Sequence, residues 1–212
     1  MLRAWEFVGY AARAGEMGKD QFGGIQDRLS DVLKTPELKK RIIAGVEDSS
    51  PHLRALCGRT VLDNKLGDYE KVALRLLGDE EAFVRRHMCE TLHLKPPPAA
   101  LVELEHLAQN DPFPSVRALA TRALAKGDPI KVIPILLHIH ETDKEYEEDL
   151  MIDTPSSHAA SALDELMKTN WIFVRNDRGF STLRPGGSDY ARLVEHAKSY
   201  LERLKREQGG EK

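Results

Sequence analysis

Three stretches of the chain share one skeleton of polar and apolar positions: "SSPHLRALCGRTVL" after Asp48, "EEAFVRRHMCETL" after Asp79 and "PFPSVRALATRAL" after Asp111. The aspartates lie 31 and then 32 residues apart. Five residues after each comes Leu53, Val84 or Val116, and one further comes Arg54, Arg85 or Arg117. Nine on are Cys57, Met88 and Ala120; thirteen on are Val61, Leu92 and Leu124. Apolar residues at these offsets form one stripe of a helix with 3.6 residues per turn. The aspartate ahead of each stripe is expected to cap the helix, its carboxylate accepting an otherwise unpaired amide.

Each such helix needs a partner to cover its apolar stripe. "PELKKRIIAGV" (36–46), "DYEKVALRLLG" (68–78), "PPAALVELEHLAQ" (97–109) and "GDPIKVIPILLHIH" (127–140) supply one before each copy and a fourth after the third. The pattern predicts helical hairpins at about 36–63, 68–95, 97–126 and 128–169. Gly-Asp at 67–68 and 127–128 ends one element and caps the next. Pro134 alone falls inside a predicted helix, where it implies a kink or a late start. The recurring Asp and Arg are assigned to structure: the arginine of one unit is placed to reach the aspartate at the turn of the next, which sets register.

The Asp-x4-Val/Leu-Arg element, three times in register, resembles the HEAT-repeat family, in particular the short HEAT-like repeats of bilin lyases. The resemblance covers residues 36–126 well and 127–169 loosely, and it implies an all-α solenoid of about four stacked helical hairpins. The fourth unit departs from the pattern. Aligned on Leu163, Ser156 stands where the arginine is expected, so the Asp–Arg series should stop there. Residues 141–153 hold seven acidic residues and one lysine. They read as a solvated loop, with an acidic docking loop as the functional alternative.

The ends look like caps. Residues 1–34 have apolar residues at helical spacing broken by glycines, as expected of an N-terminal helical cap. "WIFVRNDRGFSTLRPGG" (171–187) predicts a small β-hairpin, and 188–208 predict a capping helix, within a C-terminal segment 170–212.

Composition narrows the function. The 212 residues are 41% hydrophobic and 31% charged, with a net charge of −3, which argues against a protein that coats nucleic acid non-specifically. Cys57 and Cys89 lack metal-type spacing and read as buried thiols. No stretch is apolar enough to span a membrane and no signal peptide is legible, so a cytoplasmic protein without membrane association is expected. In "HIHETD" (138–143), His138 and His140 are two apart on a helix and point away from each other, so no metal site is expected. There is no nucleophile elbow and no phosphate-cradling glycine loop, so neither catalytic residues nor a cofactor are assigned.

In solenoids of the HEAT type the second helices line the concave face. Offsets of four, seven and eleven from each aspartate place His52, Phe83, Ser115, Ala55, Arg86, Ala118, Arg59, Glu90 and Arg122 on the exposed side. From these, Arg59, Phe83, Arg86, Glu90 and Arg122 are the expected contact ridge for a protein partner, with an acidic or phosphorylated segment as its chemistry. Nucleic-acid binding through a winged-helix-like segment (156–183), with Arg175, Arg178 and Arg184 around the wing, is the alternative. A HEAT-like enzyme of the bilin-lyase or DNA-glycosylase kind is a further one. Against a glycosylase, Glu90 interrupts the basic row and both tryptophans lie outside the repeats.

Overall fold

The structure, a computed structural model, describes residues 35–145, 154–169, 171, 173–175, 181–183 and 189–209. The expected N-terminal cap at 1–34 lies outside them, as does the 146–153 part of the acidic run. Nine helices are described: α1 (Pro36–Ala44), α2 (Pro51–Asp63), α3 (Tyr69–Leu77), α4 (Ala82–Leu92), α5 (Pro98–Asn110), α6 (Pro114–Ala123), α7 (Pro129–Thr142), α8 (Pro155–Met167) and α9 (Tyr190–Gly209). Proline opens α1, α2, α5, α6, α7 and α8, where its fixed φ suits a first turn and its missing N–H leaves nothing unpaired. Side-chain caps are made by Asp68 to Lys71 N–H (3.4 Å), Asp128 to Ile130 N–H (3.1 Å) and Thr154 to Ser157 N–H (3.2 Å).

The three repeated aspartates do not cap their helices. Each Oδ1 accepts the N–H two residues on: Ser50 at 2.8 Å, Glu81 at 3.0 Å and Phe113 at 2.9 Å. The helix then begins three residues after the aspartate, at Pro51, Ala82 or Pro114. In two copies the residue before the helix precedes a proline and is held extended, so Ser50 and Phe113 take the cap position and push the aspartate into a local turn.

The chain forms two compact units that divide within α4, between Met88 and Cys89. In the first, α2 packs against α1 and α3. Gly58 makes this close approach possible: a Cβ there would lie 2.2 Å from Leu76 Cδ1 and 3.2 Å from Met88 Sδ. Val61, Leu76, Leu77, Val84 and Met88 are fully buried. In the second unit α5 pairs with α6 and α7 with α8, and α8 also packs on α6, so hairpins stack as in an α-solenoid. The core includes Leu104, Leu124, Ile133, Leu136 and Leu163. The apolar face of α9 (Leu193, Ala197, Leu201) is buried, and the helix packs on α7 and α8.

Three positions expected on the exposed side, Ala55, Ser115 and Ala118, are buried. A second helix is packed on more than one side, so its buried arc is wider than a single stripe. In α6, flanked by α5 and α8, Arg122 is the one exposed residue. The helix containing Pro134 starts at Pro129, so no late start occurs; Pro134 sits inside α7 on its exposed side.

After α8, Lys168 adopts a left-handed conformation (φ 56°). The buried Asp164 accepts the Trp171 N–H (2.8 Å) and the Thr169 hydroxyl, fixing where the chain leaves the helix. Two three-residue strands, β1 (Phe173–Arg175) and β2 (Ser181–Leu183), pair antiparallel with Phe173 opposite Leu183. Residues 176–180, including the turn of the expected hairpin and Arg178, lie outside the described residues, as does Arg184.

Candidate functional site

The repeated Asp–Arg element divides structural arginines from candidate contacts. Arg54 forms a bidentate pair with Asp79 of the next repeat, Nε to Oδ2 at 2.9 Å and Nη2 to Oδ1 at 2.8 Å. Its Nη1 turns back to the carbonyl of Asp48 at 3.0 Å. Arg85 and Arg117 repeat that backward bond, to the carbonyls of Asp79 and Asp111, both at 2.8 Å. Each arginine therefore clamps the turn six residues behind it, a contact that sequence spacing did not suggest. Asp79 is buried, which alone would push its carboxyl up. Hydrogen bonds from Arg54, the Glu81 N–H and Arg75 outweigh burial, and the carboxyl ends below the usual aspartate range. The bond to Asp79 likewise raises Arg54 against its own desolvation.

The fourth unit lacks the arginine, as expected, but the aspartate side of the series reaches it. Asp143 follows Asp111 by 32 residues, in register, and accepts Nε and Nη2 of Arg117 at 2.6 and 3.1 Å. Arg117 Nη2 also reaches Glu145. The Asp143 pairing raises Arg117 most, working against burial, and Glu145 adds to it. The start of the acidic run is thus a structural rung rather than solvated loop. What displaces the fourth unit is length: α8 begins at Pro155, twelve residues after Asp143, where the other helices begin three after theirs. Ser156 is not a substitute for the arginine. Its hydroxyl donates to the His140 carbonyl (2.7 Å), and His140 Nδ1 meets the Ser156 carbonyl at 3.0 Å, tying α8 to the end of α7.

With these arginines assigned, one side-chain cluster on the second helices of the first unit stands out. Phe83 on α4 is half-buried, with His52 of α2 edge-on at 4.5 Å between centroids and His87 tilted against it at 4.2 Å. The Arg86 guanidinium lies 5.7 Å from the same ring. Helical spacing brings Arg86 and His87 to Phe83, three and four residues on; repeat stacking brings His52. The Phe83–Arg86 pairing was legible in the sequence. His52 entered only as an exposed position, and His87 was missed although its spacing from Phe83 signals contact. A partly exposed apolar ring beside a guanidinium and two imidazoles suits insertion of an apolar side chain with a carboxylate or carbonyl next to it.

The other expected ridge residues have different settings. Arg59 is exposed and holds Asp63 one turn on at 3.4 Å. Glu90 is half-buried in the second unit, with its carbonyl 2.5 Å from His93 Nδ1. Arg122 is exposed on α6. Of the five, Phe83 and Arg86 are brought together.

Cys57 is buried and its thiol is pushed up by burial and by the Asp48 charge, so it stays protonated. A cleft of about 690 Å³ near Asn110, His138 and Thr142 is floored by Arg117, Asp143 and Glu145. Its guanidinium is already neutralised by two carboxylates, which makes it a poor anion site. His138, Glu141 and Asp143 of "HIHETD" diverge: His138 is exposed, Glu141 pairs with Lys198 (3.6 Å) and Asp143 with Arg117. Among the described residues no group of three His, Cys, Asp or Glu is placed to hold a metal ion, and no helix is long and apolar enough to cross a membrane.

Residues 69–148, from the first residue of α3 to just beyond α7, match a family model described as HEAT repeats. No curated protein and no solved structure matches the chain.

Proposed function

Starting from HEAT repeats over residues 69–148, we propose that the protein is a non-catalytic scaffold that binds another protein on the exposed side of its second helices, the side expected to be concave. HEAT repeats generally mediate protein interactions, which supports the class of function. The observation that carries the reading is the Phe83 cluster: a half-buried ring, flanked by His52, His87 and Arg86 and contributed by consecutive second helices. Its aromatic-plus-arginine composition is that of an interface anchor, and it fits a partner segment presenting an apolar side chain beside an acidic or phosphorylated residue. In this reading Arg59, in the same unit as Phe83, is a further cationic contact, and Arg122 on α6 of the second unit is a separate one.

Arg85 and Arg86, adjacent in sequence, test the division between structure and contact. Arg85→Ala is expected to lower thermal stability while leaving partner affinity unchanged; Arg86→Ala is expected to do the reverse. A nuclease-treated lysate pull-down compares wild type with Phe83→Ala and with an Arg59/Arg86/Arg122→Ala triple variant. A protein held by wild type and lost by both variants supports the reading. A protein held equally by all three places the interface elsewhere.

A further inference from the structure

A second surface, remote in composition from the Phe83 cluster, runs along α9. Its exposed side carries Arg192, His196, Tyr200, Arg203 and Arg206 at helical spacing, opposite the buried Leu193, Ala197 and Leu201. Trp171, positioned by the Asp164 bond to its N–H, lies against the start of this stripe. The Arg192 guanidinium sits 4.3 Å from the Trp171 ring centroid, and His196 meets the same ring edge-on at 4.9 Å. One turn further His196 and Tyr200 are 6.4 Å apart, and Arg203 lies 4.9 Å from Tyr200. The distal half borders a shallow cleft of about 470 Å³. Two nearby acids are already engaged: Glu207 with Arg203 at 3.7 Å, and Glu202 with Lys205 at 3.1 Å.

From this alternation of cations and rings we propose that the α9 stripe binds single-stranded nucleic acid. Three observations favour that ligand over an acidic peptide. The stripe carries three arginines, and α9 as a whole holds five basic and three acidic residues in a chain whose net charge is −3. Rings recur between the cations; an acidic side chain has no π-face to match each of them, whereas every base has one to stack on an aromatic or on an arginine plane. The spacing also fits: four helical residues rise ~6 Å, and Arg192 to Arg206 spans about 21 Å, room for a few nucleotides of extended strand. A duplex, its bases already stacked, gains only the charge contacts. This site shares no residue with the Phe83 cluster, so either surface can fail without the other.

The test is fluorescence anisotropy with a labelled twelve-nucleotide oligo-uridine, a duplex of equal length and a poly-glutamate peptide as competitor. The single strand is expected to bind more tightly than the duplex, with a log–log salt slope of about −1.4 to −2, about 0.7 for each of Arg192 and Arg206 and less for Arg203, which Glu207 partly neutralises. Tyr200→Ala is expected to weaken binding about tenfold, the loss of roughly one stacked base. Arg192/Arg203/Arg206→Ala is expected to remove both binding and salt dependence, and Phe83→Ala to change neither. All substituted side chains are partly or fully exposed, and unchanged melting curves will show that the variants fold. Absence of single-strand binding, insensitivity to Tyr200→Ala, or competition by poly-glutamate equal to that by oligo-uridine would overturn the proposal; the last result would make the stripe an acidic-peptide site.

Discussion

The two Arg–Asp rungs described in this molecule, Arg54–Asp79 in the first unit and Arg117–Asp143 in the second, use the same chemistry in different surroundings. Asp79 is 1% exposed and takes three further protections: the Glu81 N–H, Arg75 at 3.0 Å and the flanking helices. Asp143 is 17% exposed, ends α7 and shares its arginine with Glu145, itself 69% exposed. The first rung lies where aspartate and helix keep their three-residue spacing; the second lies where an insertion has carried α8 downstream. The motif's chemistry survives the insertion, but its burial does not survive to the same degree. Burial decides what such a pair is worth, because an unpaired charge left inside costs far more than one that water can reach.

Substitutions at the two rungs put this contrast at risk. Arg54→Ala leaves the Asp79 carboxylate buried with Arg75 as its remaining cation, and is expected to cost about 3–5 kcal/mol in urea unfolding. Arg117→Ala strips a more accessible pair and is expected to cost about 1.5–3 kcal/mol, the range for hydrogen bonds to a charged group. If the two variants lose equal stability, burial is not what separates the rungs. Gly58→Ala tests packing without charge: its Cβ would overlap Leu76, and a loss of about 1–3 kcal/mol is expected, read from the melting temperature.

Acidification tests the first rung. The folded Asp79 carboxyl lies below its unfolded value, so its contribution is present above the unfolded pKa, about 3.9, and is lost as pH falls through the lowered folded one. Urea midpoints measured between pH 7 and 2 should fall for wild type below about pH 4. They should fall less for Asp79→Asn, which starts lower. A parallel fall in both would assign the acid sensitivity to other carboxylates. Phe83→Ala has the smallest expected effect on stability, within about 1 kcal/mol, because the ring is only half-buried. A larger loss would mean that the ring is a packing element and not a contact.

Much of this architecture is legible in the residues alone. The period, the helix pairs, the buried positions Val61, Leu92 and Leu124, and the reach of Arg54 to Asp79 all follow from residue types at fixed offsets. The repeated aspartates do not cap because each helix starts three residues on; Pro51 and Pro114 fix that start in two copies, and at Ala82 it occurs without a proline. Asp143 is in perfect period, yet the acidic residues around it hid it as one more charge in a run. Ala55, Ser115 and Ala118 were misplaced because a single-stripe picture of a helix ignores the neighbour on its other side. At the candidate site Phe83 and Arg86 were readable from helical spacing; the His52 contact needed the register between helices, which spacing within one helix does not contain.

The repeat itself is therefore written in the chain: its period, its hairpins and the arginine that links one turn to the next each depend on local offsets along a regular helix. Folding in three dimensions settles which of those residues are buried, how the fourth unit accommodates its insertion, and which side chains gather around Phe83 and along α9. Those outcomes depend on distances between segments remote in sequence, and packing, not periodicity, sets them.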